Sequence, residues 1–411
     1  MPDFRPFSGV RYDCHAAGAG LGDLAAPPYD VVDEELRGAL EAAHPRNSVR
    51  LILPRDEHAD GDRYARAAAT YRRWLADGVL VADPSPRFYT YRMDFTGPHG
   101  EARHTRGVIG ALSLPEAGDD SVLPHERTLP KAKSDRLALL REMRVNVDPI
   151  WGLSLGAGLT SLLEPAEPLC ECEDRDGVRH RLGAIDDAGR IAAIRATVAG
   201  EALVLADGHH RFETAMALRD ELRAAGEDAR GAAAIMAFVV ELADDELHVE
   251  PIHRLIDLPD GVDVRARLRD VFSIEAAGPV TPEGVEDLRQ RMRTRGALGL
   301  VDDRGLALAV PDAGARAGAL ASQHPAVAAT DAALVEALVV PRLEDARWQY
   351  RHDAAQVAAL VDKGAASAAV LCNPVPVAQT RAAALARQRM PQKTTFFAPK
   401  PRTGMVFRSL H

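Results

Sequence analysis

The chain has 411 residues, 46% of them hydrophobic and 27% charged, and a formal net charge of −10. This is an ordinary globular composition, long enough for two or three domains. The acidic balance argues against the broad basic footprint that nucleic acid requires, and no apolar run approaches the roughly 20 residues of a membrane helix.

Three regions separate on pattern, 1–100, 101–250 and 251–411. The opening MPDFRPFSGVRYD lacks the apolar core of a signal peptide. Four cysteines without a paired framework fit a reducing compartment, so a cytoplasmic location is expected. GAGLGD (Gly18 to Asp23) has neither the preceding strand nor the full glycine pattern of a dinucleotide loop. PPYDVV predicts a rigid turn at Tyr29 and Asp30. HPRNSVRLI offers Arg46, Asn47 and Arg50 as anion contacts. The runs VRLILP and RFYTYRMDF read as strands around the helix YARAAATYRRWLADG.

In the second region TRGVIGALSL, EALVLAD and AAAIMAFVVEL predict strands, and KSDRLALLREM and HRFETAMALRDELRAA predict helices. This alternation marks an α/β or α+β core, and α+β is the fold class expected. Cys170, Cys172 and His180 lack the spacing of the common zinc motifs and read as acidic surface. The third region offers a helix near 353–363, a strand SAAVLCNPV, a helix VAQTRAAALARQR and the tail MPQKTTFFAPKPRTGMVFRSLH. His253 receives no functional role.

Chemistry concentrates at two places. Leu203, Val204 and Leu205 form a run of strand length, and Ala215, Leu218 and Leu222 recur at helical spacing. Asp207, Gly208, His209, His210 and Arg211 therefore fall on a strand-to-helix turn, where unpaired N–H groups and the helix dipole favour anions. Glycine permits close approach of a ligand. The turn reads either as a phosphate pocket or as a capped helix with solvated basic residues. In the preceding cluster, Pro124–His125–Glu126 follows a strand and precedes a helix that Ser134 would cap, with Leu137, Leu140 and Met143 as its apolar stripe. Cations at Arg127, Lys131 and Lys133 would keep Glu126 ionised and able to accept a proton from a substrate hydroxyl; a surface ion-pair cluster is the alternative. In the tail, Lys393, Lys400 and Arg402 among Phe396, Phe397 and Phe407 read as a cationic arm over the site or as a packed terminal strand.

The order His-Glu, helix, Asn146…Pro149–Ile150, strand, Asp-Gly-His-His-Arg, over about 105–245, resembles the ParB/sulfiredoxin-like superfamily. Across nearly the whole chain, APPYDVV, LPHERT, ADGHHRFETA and MPQKTTFFAPKPRTGMVFRSL resemble the DUF1015 family, which supplies no established activity. The superfamily resemblance implies a ParB-like nucleotide- and phosphate-binding core over 101–250 with mixed α/β regions on either side. Sulfiredoxins carry Gly-Gly-Cys-His-Arg at the turn. Here Asp207 replaces the first glycine and His209 the cysteine, which excludes sulfur chemistry, while His210 and Arg211 retain the phosphate role.

Free-serine kinases of the superfamily are more similar still, with an early Glu and an Asp-Gly-(His/Asn)-His-Arg turn. They imply Glu126 as base, with His210 and Asp207 also catalytic, and Gly208, His209, His210 and Arg211 on ATP or ADP. His125, Arg127, Lys131, Lys393, Lys400 and Arg402 would face the substrate. Mg²⁺ follows by analogy, with Asp207 holding it through water or simply orienting His210. The function implied is a nucleotide-dependent phosphotransferase, a kinase of a small hydroxylated metabolite such as serine, because phosphoryl transfer asks mainly for positioning and charge-neutralising donors. The alternative is a nucleotide-binding ParB-like switch without transfer, and a nuclease built on the histidine pair is disfavoured by the acidic balance. Expected partners are a small-molecule substrate and a nucleotide, with a homo-oligomer left open, and neither nucleic acid nor membrane.

Overall fold

Strands form where apolar side chains run together or alternate. In the computed structural model, which describes residues 1–56, 62–97, 100–126 and 133–411, these strands are shared between two compact units. One gathers residues 1–124, 128–248 and 399–411, the other residues 125–127 and 249–398.

The strands of the first unit are β1 (Phe4–Arg5), β2 (Val10–Tyr12), β3 (Leu80–Ala82), β4 (Phe88–Thr96), β5 (Ala102–Ser113) and β6 (Val122–Pro124). They continue with β7 (Val145–Asn146), β8 (Ile150–Ser154), β9 (Glu167–Glu173), β10 (Arg179–Ile185), β11 (Leu203–Asp207) and β12 (Ala234–Glu241). Nine of them make one mixed sheet in the order β6-β11-β8-β12-β5-β4-β10-β9, with β1 added on β5. The sheet draws strands from both sides of residue 100. β11 runs parallel to β6 and antiparallel to β8, and β12 runs parallel to β8.

β11 is buried on both faces, which explains its unbroken apolar spelling. Leu203 and Leu205 join a core with Ile150, Val239, Ile194 and Phe212, while Val204 and Ala206 are buried on the other face. Helices Ala188–Ala199 and His209–Ala224 cover the first of these faces through Ile194, Val198, Phe212 and Ala215. The helix after β11 is therefore fixed by its own core contacts, and its N-terminus stays at the strand's carboxyl end.

The later strands are β13 (His248–Pro251), β14 (His253–Asp257), β15 (Phe272–Gly278), β16 (Leu298–Asp302), β17 (Gly305–Pro311), β18 (Arg347–Arg351), β19 (Ala368–Leu371) and β20 (Thr395–Ala398). Six form an antiparallel sheet, β15-β17-β16-β19-β14-β18, and β13 pairs with β20. The period of two sorts its side chains. Ile256, Leu300, Ala307, Ala368 and Val370 enter one core, and their neighbours Leu255, Val301, Leu306, Ala369 and Leu371 enter another. Helices Pro282–Arg295 and Ala354–Asp362 cover the second core with Leu288, Met292, Val357 and Val361. The last strand, β21 (Arg408–Ser409), pairs with β7 in the first unit. Helices and several sheets together give an α+β architecture, and among the described residues no helix is long and apolar enough to cross a membrane.

Three local expectations change. VRLILP contains the helix Val49–Ile52, not a strand. Asn47 is fully buried and winds the chain there: its Oδ1 accepts from Val49 N at 2.9 Å and its Nδ2 donates to the Asp23 and Ala25 carbonyls. Arg46 and Arg50 donate to the carbonyls of Ala16 and Glu41, so this segment is a structural knot, not a set of anion contacts. The helix expected to be capped by Ser134 begins at Lys133, which places Ser134 inside its first turn. Of the two readings of the tail, its aromatics follow the packed one: Phe397 and Phe407 are buried, and Phe396 stacks on His352 at 4.2 Å.

Candidate functional site: a glycine turn locked by alternating charges

Among the described residues, most long helices start on a side-chain cap, as Asp33, Asp62, Asp187, Thr281 and Asp353 show. The helix His209–Ala224 starts on Gly208, at φ 85° and ψ 26°, with no side-chain cap. Glycine takes that left-handed conformation without strain. A Cβ at 208 would also sit 2.9 Å from Ile150 Cγ2 and 3.1 Å from Arg211 Nε and Nη2. The close approach that glycine permits here is made by the chain's own arginine.

Arg211 is held on two sides. Its Nη1 donates to Asp148 Oδ2 at 2.7 Å and to the Pro149 carbonyl at 2.5 Å, and its Nη2 donates to Asp207 Oδ2 at 2.9 Å. The other Asp207 oxygen, Oδ1, accepts from Lys400 Nζ at 2.5 Å. Lys400, Asp207, Arg211 and Asp148 thus alternate in sign along one chain of contacts, with side chains 7 to 18% exposed.

The two carboxylates respond differently to burial. Burial alone would push Asp207 up, but Lys400 and Arg211 outweigh it and hold the carboxyl well below the usual carboxylate range. His209 acts in the same direction. At Asp148 burial wins over the attraction of Arg211 and the pKa goes up. Arg211 is itself pushed up, since Asp148 and Asp207 together exceed the cost of its own burial.

Beside Arg211 lies a small cavity, partly open to solvent. Tyr29, Arg136, Asp148, Arg211 and Thr214 form its polar side, and Leu139, Leu140, Met143, Val145, Val147 and Ile235 its apolar walls. The Arg136 guanidinium lies 4.4 Å from the Tyr29 ring centroid, and burial pushes the Tyr29 hydroxyl up to about 12 despite Arg211. Asp148, Arg136 and Thr214 carry no local signal in the sequence as site residues, because their partners are far off in the chain.

In the second unit His125 and Glu126 are bound to the segment before β20. Glu126 Oε2 accepts from Lys393 N at 2.9 Å, and Oε1 accepts from the backbone N of Thr394 and Thr395 and from Thr395 Oγ1. Lys393 meets Glu126 through its backbone, at φ 58°. His125 is buried, with Nε2 2.8 Å from Thr395 Oγ1. Among the described contacts of Glu126 are backbone N–H groups, which the sequence did not announce. Arg127 and Lys131 lie outside the described residues. Arg402, in the first unit, is tied to Asp174 and Asp176 and donates its backbone N–H to Tyr91. Asp174 also meets His180 at 2.8 Å, so the histidine near Cys170 and Cys172 belongs to a buried Tyr91–His180–Asp174–Arg402 chain.

The family described as "Protein of unknown function (DUF1015)" matches residues 4–333. The chain belongs to the DUF1015 family. No curated protein matches this DUF1015 chain. Among solved structures, a free serine kinase variant in complex with AMP is similar over 68% of this chain and 85% of its own, at 13% identity and a TM-score of 0.37. A conserved hypothetical protein from Pyrococcus furiosus is similar over 70% and 90%, at 12% identity and 0.37. SbnI with C-terminal truncation, from Staphylococcus aureus, is similar over 72% and 86%, at 11% and 0.36.

Proposed function

We propose that this DUF1015 protein is a cytoplasmic, nucleotide-dependent phosphotransferase acting on a small hydroxylated metabolite, serine or a relative, through a ParB-like core over 101–250. The observation that carries the reading is the helix at His209, which starts without a side-chain cap between Lys400 and Arg211. A helix N-terminus of this kind attracts phosphate. In this reading ATP or ADP lays its phosphates on residues 208–211 and Lys400. Glu126 takes the proton of the acceptor hydroxyl, and His125, Arg127, Lys131 and Lys393 belong to the acceptor's surroundings. Arg402, whose guanidinium two aspartates hold, belongs with them to the acceptor's surroundings. Mg²⁺ would be carried by the nucleotide phosphates, because both Asp207 oxygens already accept from cations.

The test is phosphorylated product from purified protein with Mg²⁺, ATP or ADP, and a panel of hydroxy-amino acids. Transfer is expected, and Glu126→Gln should lower it by about 100-fold or more while thermal unfolding shows the variant folded. No product with any pair would overturn the proposal. A second reading, a nucleotide-gated switch, is favoured by the Lys400–Asp207 pair, which an incoming phosphate would have to share. Calorimetric binding without turnover, together with a change of oligomeric state, would select it.

A further inference from the structure

We infer that the cavity beside Arg211 receives the base of the nucleotide, an inference that rests on the nucleotide reading of the 207–211 turn. Two observations independent of the helix N-terminus point to a ligand there. Thr214 is only 3% exposed, yet its Oγ1 has no hydrogen-bond partner. Arg211 Nε is likewise buried without a partner, although Nη1 makes two hydrogen bonds and Nη2 one. Both residues line the same cavity, and they stand at i and i+3 on one helix face. Buried polar atoms without partners are uncommon in native structures and call for an occupant.

The surroundings define its chemistry. Leu140, Met143 and Ile235 offer apolar walls, and the stacked Tyr29–Arg136 pair offers a flat one. A phosphate would meet those apolar walls and the Asp148 carboxyl, and a small hydroxylated amino acid has too little apolar surface to cover them. A heteroaromatic ring satisfies both demands. Its faces are apolar, and its edge carries ring nitrogens and exocyclic groups for one N–H donor and one hydroxyl. Arg211 borders both the turn and the cavity, so phosphate and base would meet on either side of one residue.

The experiment is calorimetry on the full chain with Mg²⁺, comparing ATP, GTP, CTP and UTP with inorganic tripolyphosphate, which has no base. At least one nucleotide should bind about tenfold or more tighter than tripolyphosphate. Thr214→Val, which keeps the shape and removes the hydroxyl, should cost that nucleotide about tenfold, the equivalent of one neutral hydrogen bond, and leave tripolyphosphate unchanged. Leu140→Trp, which fills the cavity from a half-buried position, should act in the same direction if the threonine variant folds poorly. If nucleotides bind no better than tripolyphosphate, or a preference survives both substitutions, the base site is wrong and the phosphate turn stands. If neither nucleotides nor tripolyphosphate bind, both fall.

Discussion

Lys400 and Asp207 are 193 residues apart in the chain, and their Nζ and Oδ1 atoms are 2.5 Å apart in the fold. The contact fastens the segment after β20 to the turn that follows β11. It also sets the charge of that turn, since Asp207 answers to Lys400 before it answers to Arg211.

Lys400→Met should cost about 3 kcal/mol, the cost of leaving a buried carboxylate with one cation where it had two. The folded pKa of Asp207 lies below its unfolded value near 3.8, so its contribution is present above that value and fades as pH falls through it. In the variant that difference shrinks, and urea unfolding at pH 7 and pH 3 should show a smaller acid-induced loss than in the parent.

Gly208→Ala should destabilise the first unit by about 2 kcal/mol. The left-handed backbone costs a non-glycine residue roughly 1–2 kcal/mol, and the new Cβ would press on Ile150 and the Arg211 guanidinium. A Gly208→Asn variant, better suited to that φ but no smaller, would separate strain from crowding in denaturant titrations.

His253 gives the second unit an acid limit. Its Nδ1 accepts from Cys372 N at 3.1 Å, and burial, aided by Arg289 and Arg254, pulls its pKa down to about 3. The folded value lies below the unfolded 6.5, so stability is full above pH 6.5 and is lost as pH falls toward 3, by at most about 1.4 kcal/mol per unit. Unfolding followed from pH 7 to pH 4 should show this slope, and His253→Gln should flatten it.

Thr395 links His125 to Glu126: its hydroxyl is 2.8 Å from both His125 Nε2 and Glu126 Oε1. Glu126 Oε1 already accepts from the backbone N–H groups of Thr394 and Thr395, so the hydroxyl donates to it and accepts from His125 Nε2–H. Thr395→Val should therefore cost about 1–2 kcal/mol and Thr395→Ser less, read as shifts in the unfolding midpoint.

Local spelling determined much of this protein. The strand 203–207, the helices 133–143 and 209–224 and the turn between strand and helix follow from short-range apolar period and from a glycine at the junction, all carried by consecutive residues. The sequence also marked Asp207, Arg211 and Glu126 as charged groups in unusual company. Only the tertiary structure decided that company. Asp148 reaches Arg211 from 63 positions away and Lys400 reaches Asp207 from the tail, and neither pairing leaves a periodic trace. The partners of Glu126 include backbone N–H groups, which every residue but proline possesses and which no side-chain pattern can announce. The helix at 49–52 escaped for a related reason: its apolar run is ambiguous over four residues, and a buried asparagine bonded to distant carbonyls resolves it. Periodicity is a property of neighbours along the chain, whereas charge pairing and burial are properties of neighbours in space.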